Sequence, residues 1–247
     1  MRLLEVCVED AAGMQAAVAG GADRLELCSN LGIGGVTPSA GLMAEAARLP
    51  IPVIALIRPR AGDFVYSAAE ERVMLRDIEL AAELGLAGVA IGALTRGARL
   101  DRAMIQRLAG RARGLQLTLH RAFDLVPDPT AGLEEAIAMG FHRVLTSGGV
   151  PQAIHGAAKL AGLVRQSRER ISVLAGGGIR PGNVADLMNA TGVHEVHASC
   201  RVAVGGPAGD LASFGFADPT SRVTSADVVR ELKASMQGCQ GVSSSRN

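Results

Sequence analysis

The sequence predicts an α/β fold, a single (βα)8 TIM barrel, and three observations carry the prediction. Eight short apolar runs recur along the 247 residues, an Ala-rich segment of helical period follows each run, and no linker divides the series. Parallel neighbours need a crossover connection, which a helix after every strand supplies. Eight such units in a row favour closure over an open sheet. The competing doubly wound arrangement is disfavoured because no GxGxxG follows the first strand, where a dinucleotide fold carries it.

In chain order, strands are expected at 3–8, 24–28, 53–57, 88–91, 115–120, 143–146, 172–175 and 195–198. Helices are expected at 10–19, 39–47, 68–84, 101–111, 129–139, 152–168, 181–189 and 225–236. Asp101 is suited to cap its helix, and Pro129 and Pro181 suit a first helical turn. Gly20, Gly85, Gly140 and Gly192 sit just past helices, where a left-handed cap favours glycine. One domain is expected over 1–237, with a disordered tail over 238–247 that includes Ser243-Ser244-Ser245. The connection 205–225 is long for its place and holds Phe214 and Phe216 in a chain that is 2% aromatic. Those two rings are expected to pack on a second subunit or over the barrel mouth.

Composition narrows the function classes. Hydrophobic residues make up 48% of the chain, so Ala, Val, Leu and Ile must build the core, as suits parallel strands covered on both faces. A net charge of +1 offers no basic stripe for nucleic acid or an anionic membrane. No apolar run is long enough to cross a bilayer, and the N-terminus meets charge too early for a signal peptide. A cytoplasmic protein is expected. The four cysteines are Cys7, Cys28, Cys200 and Cys239, without a CxxC pair. In the cytosol they are read as free thiols, most of them buried. Met14, Met43 and Met74 lie on helical segments and are read as core filler.

Function in this fold belongs at the carboxyl ends of the strands. Strand side chains alternate between lumen and helix layer, so parity sorts them. Leu4, Val6 and Val8 share one side of the first strand, and Glu5 and Cys7 share the other. Leu25 and Leu27 oppose Arg24, Glu26 and Cys28; Thr118 and His120 oppose Leu117 and Leu119; Glu195, His197 and Ser199 oppose Val196 and Ala198. With the apolar sets facing the helices, carboxylates, thiols, imidazoles and at least one guanidinium converge in the lumen. Buried charge is costly unless paired. These groups either neutralise one another or serve a ligand, and both readings stay open here.

The runs Leu4-Glu5-Val6-Cys7-Val8, Gly20-Gly21-Ala22-Asp23-Arg24-Leu25-Glu26-Leu27-Cys28 and Gly34-Gly35-Val36-Thr37-Pro38-Ser39 resemble the opening signature of the copper homeostasis protein CutC family. Arg58-Pro59-Arg60-Ala61-Gly62-Asp63-Phe64-Val65-Tyr66-Ser67 and His120-Arg121-Ala122-Phe123-Asp124 are similar to its two most distinctive loops. Leu145-Thr146-Ser147-Gly148, Gly176-Gly177-Gly178-Ile179 and His197-Ala198-Ser199 with Arg201 complete the resemblance, which spans residues 4 to 201. It implies a cytosolic barrel, a homo-oligomer (dimer or tetramer), with a role in copper handling. The thiols it implicates fall on Cys7 and Cys28, which would bind copper(I) as soft ligands.

A second function class is an enzyme acting on a phosphorylated or carboxylated metabolite. Gly177, Gly178, Ser199 and Arg201 lie after the seventh and eighth strands, where many barrels hold phosphate. Arg58 and Arg60 are candidates for holding an anion. His120 is the candidate acid or base, with Asp124, Glu5 or Glu26 setting its protonation. Asp63, Tyr66 and Ser67 lie on a third loop that would serve as a lid. His142, His155 and His194 fall outside the strand ends and are expected on the surface. A barrel serving only as a structural or partner-binding module is least favoured, because it has no need of an ionisable lumen.

Overall fold

The computed structural model describes residues 2–205, 210–214 and 221–237. Eight parallel strands close in chain order: β1 (Leu3–Val8), β2 (Arg24–Leu27), β3 (Val53–Leu56), β4 (Gly88–Ile91), β5 (Gln116–Leu119), β6 (Arg143–Thr146), β7 (Ser172–Gly176) and β8 (Glu195–Ala198). The seam between β8 and β1 pairs Leu3 with Glu195 and Glu5 with His197. Seven crossover helices are α1 (Ala11–Ala19), α2 (Ala40–Ala46), α3 (Ala68–Glu83), α4 (Arg102–Arg111), α5 (Pro129–Ala138), α6 (Ala157–Ser167) and α7 (Pro181–Thr191). After β8 the chain forms β9 (Arg201–Ala203), a short α8 (Asp210–Ser213) and β10 (Arg222–Thr224). It ends in α9 (Ala226–Gln237), which packs against α7 and α1 to complete the helical ring.

Alternation along the strands produces two separate interiors. Leu4, Val6, Val8, Leu25 and Leu27 are buried between barrel and helices, beside Met14, Met43 and Met74. Each such side chain contributes about 1.5–3 kcal/mol by leaving water. Inside the barrel, Cys7, Cys28, Ile54, Leu56 and Ala90 form a small apolar cluster of their own. Leu145 and Leu174 add apolar bulk, and the amino-terminal end of the lumen is polar. Arg24 donates to Glu5 and, at 2.6 Å, to Glu195, which also accepts from Ser172 at 2.6 Å. Arg143 donates to Thr118 at 3.1 Å and to Gln116. Two guanidiniums and two carboxylates thus plug the amino-terminal end of the barrel.

The helix signals are realised locally. Asp101 accepts from the Met104 N–H at 3.0 Å, and Pro129 and Pro181 open their helices. Gly85, Gly140 and Gly192 are left-handed, at φ 78°, 80° and 74°. Gly20 departs from expectation: its φ is −79°, and the left-handed residue is Gly21 at φ 90°. Gly20 is required for a different reason, because a Cβ there would lie 2.5 Å from Val229 Cβ and 2.7 Å from the Ala226 carbonyl. The connection 205–225 is not wholly irregular either. β10 pairs antiparallel with β9, aligning Arg222 with Ala203 and Thr224 with Arg201. Three-residue strands are too short to show alternation in a sequence. Phe214 is 71% exposed, whereas Phe216, Cys239 and the tail 238–247 lie outside the described residues.

Packing at Gly20 sets a stability test. Gly20→Ala is expected to destabilise the fold by about 1–3 kcal/mol, because backbone and Cβ atoms must move apart. Gly110→Ala, in α4 where an added methyl would meet open space, is expected to stabilise by about 0.5–1 kcal/mol. Urea unfolding measures both, and equal midpoints for the two variants would refute the packing argument.

Candidate functional site

The floor of the candidate site is built by β1, β2 and β8. Glu5 accepts from Arg24 and contacts His197 Nδ1 at 2.8 Å. His197 Nε2 lies 3.8 Å from a Glu26 carboxylate oxygen, and Cys7 borders the same cavity as His197. Cys28 directs its thiol at Glu26, with sulfur and oxygen 3.5 Å apart. Glu5, Glu26 and His197 each offer a donor atom within 4.8 Å of the others, a grouping compact enough to hold a cation.

Electrostatics sort these groups. Burial works against ionised Glu5, but Arg24 and His197 overcome it and hold the carboxyl at about 2. Burial likewise opposes a charged His197, yet Cys7, Glu26 and Glu5 together raise the imidazole well above 6.5. Glu26 is pushed upward, by burial first and by Glu5 alongside. The Cys28 thiol is pushed well above 9 by burial and by Glu26.

The walls come from the loops after β2, β3, β5, β7 and β8. His120 Nδ1 accepts from the Ala122 N–H at 3.2 Å, which places the ring hydrogen on Nε2. That Nε2 is buried without a partner, and burial together with Arg58 holds the imidazole at about 4. The guanidinium of Arg58 donates to the carbonyls of Ile33 (3.0 Å), Gly35 (2.7 Å) and Gly62 (2.9 Å), tying two loops together. Its Nε is left unpaired. Phe64 lies under Arg58 and against His120, 5.1 Å from each. Gly177 and Gly178 turn the chain at φ 103° and 70°. Arg201 pairs with Glu9 at 2.5 Å and donates to the Arg222 carbonyl at 2.8 Å, so the hairpin is fastened to the β1 end.

These walls enclose a cavity of about 880 Å³ at the carboxyl end of the barrel. Arg58, Arg121, Arg180, Arg201 and Arg222 border it, and Glu26 is the one carboxylate among its described lining residues. Cys7, His120, His197, Gly177, Gly178 and Ser199 border it too.

Several expected site residues lie elsewhere. Asp124 does not meet His120. Its carboxylate accepts from Thr146 (2.5 Å), Ser147, Gly149 (3.1 Å) and Arg121 (2.8 Å), which makes it the brace of the loop after β6. Arg60 is absent from the cavity wall; it binds Glu70 and Asp63 and stacks over Tyr66. Ser67 caps α3 in a reciprocal pair with Glu70, so this loop is pinned and not a free lid. Cys28 is 1% exposed, packed beneath the Gly35 turn and off the cavity wall. His142, His155 and His194 are exposed. Sequence reasoning missed Arg121, Arg180 and Arg222 as wall residues. The first two adjoin His120 and the glycine turn, a usable signal, but nothing in the sequence brings Arg222 to the mouth.

Residues 2–202 match the CutC family. The chain belongs to it. A Caulobacter vibrioides protein named as a CutC family protein is 51% identical over 238 residues, covering 94% of this chain and 97% of its own. A Rhizobium meliloti CutC family protein is 52% identical over 233 residues, 94% of each chain. Among solved structures, a Streptococcus agalactiae protein described as a candidate copper homeostasis protein CutC superposes with a TM-score of 0.78 at 34% identity. That superposition covers 81% of this chain and 99% of the other. A thiamine phosphate pyrophosphorylase from Pyrococcus furiosus shares the fold alone, with a TM-score of 0.60 at 14% identity. The CutC family match stops at residue 202, so most of the β9–β10 hairpin falls beyond it. No helix among the described residues is long and apolar enough to cross a membrane.

The buried groups predict acid sensitivity in two windows. His120 is held at about 4 against an ordinary 6.5, so its contribution is complete above 6.5 and lost as pH falls toward 4. Glu5 is held at about 2 against 4.5, so its contribution disappears between 4.5 and 2. From neutral to about pH 5, His120 alone should cost on the order of 2 kcal/mol. Urea midpoints at the two pH values should show this loss in the wild type and its disappearance in His120→Asn. An undiminished loss in the variant would assign it to another group.

Proposed function

We propose that the mouth of the barrel binds a small phosphorylated or carboxylated metabolite and acts on it by acid–base chemistry. The carrying observation is the division of charge in one cavity: five arginines along its walls, and the Glu5–His197–Glu26 cluster at its floor. Guanidiniums hold planar anions through paired hydrogen bonds. The Gly177–Gly178 turn ahead of α7 adds the position where barrels commonly seat phosphate. Glu26 and His197 are the proton carriers, since burial makes the Glu26 carboxyl easier to protonate. His120 serves as a neutral donor through Nε2–H, a narrower role than the acid or base expected from sequence.

Calorimetry against sugar phosphates and dicarboxylates tests this reading. Arg222→Ala and Arg180→Ala should each weaken binding roughly tenfold or more, the scale of a charged hydrogen bond of ~1.5–3 kcal/mol. Affinity should also fall with salt. Absence of binding by both ligand classes, or affinity indifferent to both variants, would sink the reading. Arg58→Ala is a poor probe, because it would release three loop carbonyls as well.

Copper(I) handling is the second reading. It is favoured by two thiols, Cys7 and Cys28, on adjacent strands of one lumen, and by the description of the Streptococcus agalactiae relative. Soft thiolates suit copper(I). The fit is uneven, since Cys28 points at Glu26 beneath a loop and the other near donors are carboxylates and an imidazole. Replacing Cys7 and Cys28 with Ser should abolish stoichiometric copper(I) uptake under reducing conditions, and Cys239→Ser should not; equal uptake by the double variant would remove this reading.

Both readings concern a cytoplasmic protein working as a homo-oligomer, a dimer or tetramer. Exposed Val202, Val204, Leu211, Phe214 and Val223 around the hairpin supply an apolar face for self-association. Light scattering should show an oligomer that Phe214→Ser weakens.

A further inference from the structure

We propose that Arg58 and His120 form a carboxylate-binding subsite on the β3–β5 side of the mouth, so that the ligand carries a carboxylate in addition to a phosphate. The proposal rests on the anion reading above and deepens it. What it adds is the second charged group and the residues that read it.

The first observation is a charge without a counter-ion. Arg24, Arg58 and Arg143 are the buried guanidiniums among the described residues. Arg24 meets Glu5 and Glu195, and Arg143 lies 3.8 Å from Glu195. Arg58 makes no ion pair with any described residue. Its Nη1 and Nη2 donate to three neutral carbonyls, and its Nε donates to nothing. Clamping the loops explains those three bonds, but it leaves a buried positive charge unneutralised, which is costly.

The second observation comes from another strand. His120 Nδ1 accepts from the Ala122 N–H, which leaves the ring hydrogen on Nε2, and that donor has no acceptor. The ring is held in place over Gly92, where an added Cβ would lie 2.6 Å from His120 Cε1. A role in turning the chain at Ala122 accounts for one ring nitrogen and not for the other. Arg58 and His120 are 7% and 4% exposed, both border the main cavity, and both contact Phe64. Two unmet N–H donors, one of them charged, thus stand around one aromatic ring. Phe64 is half-buried and also borders a second hollow, lined in part by Leu94 and Leu125. A turn of its side chain toward those two leucines clears the donors while the pinned loop stays in place.

Charge and valence select the group that docks there. A carboxylate brings one negative charge for one guanidinium and two acceptor oxygens for two N–H donors. A phosphate dianion would bring a second buried charge that Arg58 alone does not meet. Phosphate has its seat across the mouth, where Arg180 follows the Gly177–Gly178 turn and makes no ion pair with a described residue. The ligand class is therefore a small phosphorylated carboxylic acid, held at both ends.

Calorimetry on the whole chain, reduced and treated with a chelator, tests this with two matched ligand pairs. 3-Phosphoglycerate is compared with glycerol 3-phosphate, and 6-phosphogluconate with glucitol 6-phosphate; within each pair a carboxylate replaces a hydroxymethyl group. In at least one pair the carboxylate ligand should bind roughly tenfold or more tightly, the scale of a charged hydrogen bond. His120→Asn keeps an oxygen that can accept from Ala122 and removes the Nε2 donor, so it should shrink that preference by about threefold or more. The comparison of ligands on the wild type stands even where the variant fails to fold. Equal affinities within both pairs overturn the subsite and leave the anion site in place. A preference undiminished in folded His120→Asn overturns it as well. Binding of none of the four phosphates removes the anion reading and the subsite together.

Discussion

The grip of Arg24 on Glu5 and Glu195 is the constraint around which the lumen is organised. Each of these groups would be costly in an apolar interior if left alone, and removing one partner strands the others. The pairing fixes the rotamer of Glu5, Glu5 fixes His197, and His197 faces Glu26. A barrel filled with branched aliphatics would be cheaper to stabilise. Here the charged plug at the amino-terminal end sets the geometry of the floor of the open end.

The cavity divides the same way, cationic at its walls and carboxylate–imidazole at its base. From the mouth inward, guanidiniums come first and the carboxylate–imidazole cluster second. Arg58 differs from the other wall arginines. Three of its hydrogen bonds go to loop carbonyls, so it shapes the wall as much as it charges it.

Strand order, closure and lumen parity were legible in the sequence because period-two alternation is strict in β1, β2, β5 and β8. Helix ends were legible at Asp101, Pro129 and Pro181, where one residue type has one local reason to be there. Gly20 misled because two requirements, a left-handed cap and a close helix contact, select the same residue. The partners of Asp124 and Arg60 were not legible. Their ligands come from Thr146 and Ser147 in one case and Glu70 in the other, and no spacing rule connects side chains that meet only through loop geometry. The β9–β10 hairpin escaped for want of length, and with it the approach of Arg222.

Closure of the seam has a consequence for the nascent chain. Glu5 and His197 are 192 residues apart in sequence, so the floor is assembled only when the last strand docks on the first. Until then Glu5 lacks its imidazole partner and the guanidiniums lack a closed cavity. A barrel that lacks its last strand therefore lacks the Glu5–His197 contact, and the pairing that closes the fold is the one that completes the floor of the cavity.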